Sequence, residues 1–130
     1  MLFYKIAVKP GKPILIARVG SSLLVGLPGN PVSTFVGFHL IVRPLIRLLT
    51  GQSNAFPSTQ LMRLKTEMRP GGGRLEFLRG RAELDPQGQW TVSLMSNQGS
   101  NAISGSLRCN CLVIRARGQA ARAKGENVQV

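Results

Sequence analysis

Gly26-Leu27-Pro28-Gly29-Asn30-Pro31-Val32-Ser33 joins an extended segment to a helical one. It reads as the end of a buried strand, a rigid Pro-Gly turn and a helix start. Asn30 is a favoured N-cap residue, and Pro31 suits the first helical position because the N–H it lacks would have been unpaired there. Val32, Phe35, Val36 and Leu40 follow at helical spacing. Such a turn is expected to direct unpaired backbone N–H groups outward from a strand end, where anions are readily held. An ordinary strand-to-helix connection carries the same local pattern, so a site reading needs further residues.

Working outward, Phe3 to Lys9 reads as one strand, with Lys5, Ala7 and Lys9 on one face and Ile6 and Val8 on the other. Pro10-Gly11 turns the chain. Residues 14–19 and 23–27 read as two more strands joined through Gly20-Ser21 as a hairpin. Residues 31–49 form the only long helical pattern, which Pro44 is expected to kink or split. Thr50-Gly51 closes it. Residues 51–58 are a polar, breaker-containing linker. Beyond it, Met62, Leu64, Thr66 and Met68 alternate with charged residues, and Leu75 and Phe77 alternate with Arg74 and Glu76. Asp85-Pro86-Gln87-Gly88 suits a tight turn. Trp90, Val92 and Leu94 return, and residues 111–114 and 127–130 add two strands. Short strands at this spacing suggest a small barrel or folded sheet. The expected architecture is an incomplete α/β part over residues 1–50, a linker over 51–58 and a small all-β, barrel-like domain over 59–130.

Composition narrows the function classes. The chain has 130 residues, 43% of them hydrophobic, which argues against general disorder. Seventeen Lys and Arg against five Asp and Glu give a net charge of +12. Residues 1–56 carry six bases and no acid, while residues 57–130 carry eleven bases and all five acids. A surface of this kind attracts phosphate esters and, at low salt, nucleic acid without sequence preference. The acid-free first segment cannot supply side-chain carboxylates to a hard cation. Cys109 and Cys111 are the only cysteines, too few for a zinc site or a disulfide framework, and read as buried thiols. Lys5, Lys9 and Lys12 interrupt any secretory signal, and Arg43, Pro44 and Arg47 are expected to cut the apolar helix short of a membrane span. A cytoplasmic location is expected.

The Lys5-to-Pro13 segment with its Lys9-Pro10-Gly11-Lys12-Pro13 run, the Leu27-to-Ser33 turn, Gly73-Arg74-Leu75-Glu76-Phe77-Leu78-Arg79-Gly80, Asn97-Gln98-Gly99-Ser100 and the closing Gly125-to-Val130 segment occur in one order. Together they resemble the C-terminal half of MoeA, the molybdopterin molybdenumtransferase family that includes the E domain of gephyrin. The resemblance implies insertion of molybdate into adenylated molybdopterin with release of AMP, a magnesium requirement, and a homodimer for the full-length protein. It places Lys5, Lys9, Arg79 and Ser100 at catalytic positions. Pro28, Gly29, Asn30, Pro31, Ser33 and Arg74 fall at substrate-binding ones, with the turn lining the pterin pocket and Ser33 a direct donor. It assigns no metal ligand to this chain, since the family's acidic residues and its threonine-glycine-glycine phosphate loop lie upstream of Met1. The chain therefore resembles a C-terminal fragment, and catalysis by it alone is not expected.

A basic β-rich nucleic-acid-binding module is the alternative from another class. Net charge favours it, but the aromatic residues are scattered and form no exposed stacking platform. A scaffold role, as in gephyrin, leaves the same sequence signature as the enzyme.

Overall fold

The three-stranded sheet in the first half of the chain is antiparallel. The computed structural model describes residues 1–99 and 107–130. They form two compact units, Met1–Ser58 and Thr59–Val130. In the first, β1 (Phe3–Tyr4), β3 (Leu15–Val19) and β4 (Ser22–Gly26) form a sheet in the order β1-β3-β4, with β2 (Val8–Lys9) following β1 in the chain. The β3–β4 hairpin turns at Gly20-Ser21, and Gly20 has φ 59, a left-handed value that costs glycine little. The expected single strand from Phe3 to Lys9 is not formed. Lys5 takes φ 64, and the chain turns there, with Lys5 N–H bonded to Ile14 O and Ile6 N–H to Lys12 O. The strand alternation that would have put Lys5 and Lys9 on one face is thereby lost. The Lys9–Pro10 peptide bond is cis.

The helical segment runs as α1 (Pro31–Gly37), a π-helical turn (Phe38–Val42) and α2 (Arg43–Leu49). Asn30 caps α1 as the sequence implies: its side chain accepts from Val32 N–H at 3.1 Å and Ser33 N–H at 3.2 Å. Pro44 does not split the helix. A proline lacks the N–H that would bond to the carbonyl four residues back, and its ring crowds that carbonyl. The π turn relieves this by widening the ladder just upstream, where Arg43 N–H reaches Phe38 O five residues back. The uninterrupted helix of 19 residues is long and apolar enough to span a membrane, which overturns the expectation that Arg43, Pro44 and Arg47 rule this out. The same helix also supplies the first unit's core, where Val32 and Val36 are buried, as is Ile14. Val19, Leu24, Phe38, Ile46 and Leu49 remain exposed.

The second unit contains β5 (Leu61–Leu64), β6 (Leu75–Leu84), β7 (Trp90–Leu94), β8 (Cys111–Arg115) and β9 (Asn127–Gln129). Within it the strand order is β8-β6-β7-β5-β9; β5 and β7 run parallel and the other pairs antiparallel. The end strands β8 and β9 approach each other, so the sheet curls around its inner face. That face holds the core: Met62, Leu64, Met68, Leu78, Ala82, Val92, Val113 and Val128. At about 1.5–3 kcal/mol for each larger apolar side chain, this cluster is the main force holding the curl. Gly80 suits a crowded point of β6, since an added Cβ would lie 3.0 Å from Val92 Cγ2 and 3.2 Å from Cys111 Sγ and would press on both. Asp85 nucleates the β6–β7 turn: its carboxylate accepts from Gln87 and Gln89 N–H, and its carbonyl from Gly88 N–H. Trp90 is 44% exposed. As a whole the described chain is mostly β, with mixed strand pairing and few helices.

Candidate functional site

Alternation along β6 points Leu78, Gly80 and Ala82 inward and delivers Arg79 to the opposite face. Arg79 is nevertheless 1% exposed. The turn formed by Asn97, Gln98 and Gly99 lies against it. One guanidinium nitrogen, Nη2, donates to Asn97 O and to Gly99 O, each at 3.0 Å. The Gln98 side chain reaches back to the Arg79 backbone, accepting from its N–H at 2.9 Å and donating to its carbonyl at 2.8 Å. Gly99 N–H closes on Asn97 Oδ1 at 2.8 Å. Burial holds the guanidinium below its ordinary pKa, with the nearby Cys109 acting in the opposite sense. Burial likewise pushes the Cys109 thiol up, against the pull of Arg79. Cys111 is pushed up to about 11, first by burial and then by Cys109. Neither cysteine is in a disulfide, and neither is poised as a thiolate.

The resemblance places Arg79 at a catalytic position, and its guanidinium bonds two main-chain carbonyls. Ser100 lies outside the described residues. The motif alone does not reveal the roles of Asn97 and Gln98, although an Asn side chain readily bonds the main chain two residues on. Arg74 is half-buried and immediately precedes β6.

In the first unit, the strand-to-helix turn departs from the expected array of unpaired donors. The Asn30 side chain itself accepts from Val32 and Ser33, Thr34 N–H bonds to Asn30 O, and Pro31 has no N–H. Ser33 is buried, as is Pro28, while Gly29 is exposed and has nothing within 4 Å of where a Cβ would stand. Thr34, which the sequence reading passed over, pins the turn: its hydroxyl donates to Pro28 O and Asn30 O. Lys5 and Lys9 are exposed, and the Lys5 ammonium sits 5.0 Å from the Tyr4 ring centroid.

Among the described residues no three His, Cys, Asp or Glu side chains gather as they would around a metal ion.

The sequence model of the family described as MoeA C-terminal region (domain IV) matches residues 62–130. Over 98% of its length the chain is 37% identical to the molybdopterin molybdenumtransferase of Haemophilus influenzae, of which it spans 32%. It is 30% identical over its whole length to the molybdopterin molybdenumtransferase of Staphylococcus aureus strain COL, spanning 31% of that protein. The structure is similar to the crystal structure of a molybdopterin biosynthesis MoeA protein from Pyrococcus horikosii, with a TM-score of 0.79 and 28% identity, covering 98% of this chain and 30% of that one. The chain thus spans about a third of the length of the curated relatives it matches. With more than half of its residues under the family's sequence model, and its fold shared with a solved member, the chain belongs to the MoeA family through its C-terminal region, domain IV.

Proposed function

We propose that this chain is the C-terminal part of a molybdopterin molybdenumtransferase and takes part in inserting molybdate into adenylated molybdopterin with release of AMP. The observation that carries the reading is similarity to proteins of that name along essentially the whole chain, across both units. Phosphate-ester and oxyanion chemistry is served mainly by fixed cations and positioned donors. The acid-free first unit supplies such a field, with Lys5 and Lys9 exposed on it as the contacts to anionic substrate. The Pro28–Ser33 turn, stapled by Asn30 and Thr34, gives the pterin pocket a rigid wall. The first unit is read as part of a larger α/β domain and the second as a barrel-like domain. The exposed apolar residues of the first unit support this, since a complete domain would cover most of them. Magnesium, where the reaction uses it, is held by residues outside this chain, and the full-length protein is a homodimer.

The test is a chimera in which this chain replaces the C-terminal third of the Haemophilus influenzae relative. AMP release and active molybdenum cofactor are measured from molybdate and adenylated molybdopterin. Insertion is expected, and Lys9→Ala should slow it roughly 30- to 1000-fold, corresponding to about 2–4 kcal/mol for a cation facing an oxyanion in a partly dry cleft. Arg117→Ala, on an exposed residue outside the motifs, should leave it unchanged. A folded chimera that inserts no molybdenum would sink the reading.

A further inference from the structure

We propose that Gln98 and Arg79 form one positioning device that fixes the Asn97–Gly99 turn against β6, and that Arg79 serves the reaction through this turn. The kinetic half of the proposal rests on the molybdenum-insertion reading; the structural half does not.

The device begins where β7 ends. The last β6–β7 pair is Gly80 with Leu94, and Met95 N–H still reaches Arg79 O at 2.9 Å. Beyond that point the Gln98 side-chain amide takes over. It engages the N–H and the carbonyl of Arg79 together, as a peptide group of a neighbouring strand would, and its amide nitrogen also donates to Met95 O at 3.0 Å. The Arg79 guanidinium then grips the carbonyls on either side of Gln98 in sequence, those of Asn97 and Gly99. Each half of the device holds the other: the amide fixes the Arg79 main chain, and the Arg79 side chain fixes the main chain around the amide.

The chemistry of the residues suits this role. Guanidinium presents several donors in a rigid fork, which lets one buried cation satisfy two carbonyls at defined separation. Glutamine carries a donor and an acceptor on one planar group, matching a backbone peptide. A lysine at position 79 would keep the charge but not the fork. Gln98 is exposed at the surface, so replacing it opens no hole in the core.

The first arm of the test uses the 130-residue chain itself and amide hydrogen exchange. Gln98→Met and Arg79→Lys should each speed exchange at Gly99 and Met95 by about tenfold or more, the equivalent of losing a hydrogen bond to a charged or buried partner. Val92 and Val113 in the core report that the fold persists, and Gln98→Glu, which keeps an acceptor for Arg79 N–H, provides a milder second variant. Unchanged exchange at Gly99 in both Gln98 variants overturns the proposal, whatever the fate of the functional reading. The second arm uses the chimera. Both substitutions should lower kcat by a similar factor, the double variant should be no worse than either single one, and KM for molybdate should stay within about twofold. A large rise in KM for molybdate with Arg79→Lys, alongside a silent Gln98→Met, would make Arg79 a direct anion ligand and overturn the proposal.

Discussion

Truncating Glu76 should remove a large share of the stability of the second unit. Glu76 lies on β6 and is 4% exposed. The Arg115 guanidinium donates to one oxygen of its carboxylate through two nitrogens, Nε and Nη2. The side chains are 5% and 12% exposed, so both charges are nearly dry. A third nitrogen of Arg115 donates to Arg69 O at 2.9 Å, which ties the segment before β6 to β8. Glu76→Ala would leave a buried guanidinium without its counter-charge, a change that costs about 3–5 kcal/mol. Whole domains are stable by only about 5–15 kcal/mol, so the effect should be plain in a urea titration. Trp90 is the only tryptophan and sits on β7, so its fluorescence reports this unit. The paired replacement Glu76→Leu with Arg115→Met removes both desolvation penalties and should fall within about 2 kcal/mol of wild type, on either side. A cost below about 1 kcal/mol for Glu76→Ala, the range of an exposed pair, would refute the reasoning. So would a double variant as unstable as the two single changes added together.

Asn30→Ala should cost the first unit about 1 kcal/mol by freeing the Val32 and Ser33 N–H groups, with Asn30→Asp near neutral; equal melting of all three proteins by circular dichroism would contradict the cap. His39 is held below its ordinary pKa, first by burial and then by Arg43, so the unfolded chain binds its proton more readily than the folded one. Its contribution is therefore intact above about pH 6.5 and is lost as pH falls through the lowered folded value, and His39→Gln should flatten the melting temperature between pH 7.5 and 5. With its thiol pushed up to about 11, Cys111 should react with iodoacetamide at pH 8 roughly 100-fold more slowly than a thiol of pKa 9, by thiolate fraction; reaction at the rate of a free thiol would refute the burial.

The features legible in the sequence were those set by local chemistry. Asn30 and Pro31 announced the helix start, Gly20-Ser21 the hairpin, and Asp85 to Gly88 the β6–β7 turn, because capping and turn residues act over a few positions. Alternation located β5 and β7 and began β6. What was not legible depended on partners distant in the chain. Lys5 breaks the first strand although its neighbours alternate well, because residues 5 and 6 bond to residues 14 and 12. Arg79 is placed at a catalytic position by its motif, and nothing local shows that its guanidinium bonds carbonyls 18 and 20 residues further on. The need for glycine at position 80 comes from Val92 and Cys111, 12 and 31 residues further on, which crowd the space a side chain would take. The parallel pairing of β5 with β7 has no local signal at all.

The π turn ahead of Pro44 also governs angular phase. Val36 and Pro44 are both buried although eight residues apart, and eight residues of regular α-helix overshoot two turns, which take about 7.2. One residue absorbed in the wide turn raises that to about 8.2 and returns Pro44 to the side of Val36. A chain lacking one residue between Phe38 and Val42 would carry an ordinary α-helix with those two residues seven apart and still aligned. Length variation at this point is therefore absorbed within the helix, and the core beneath it keeps the same facing residues.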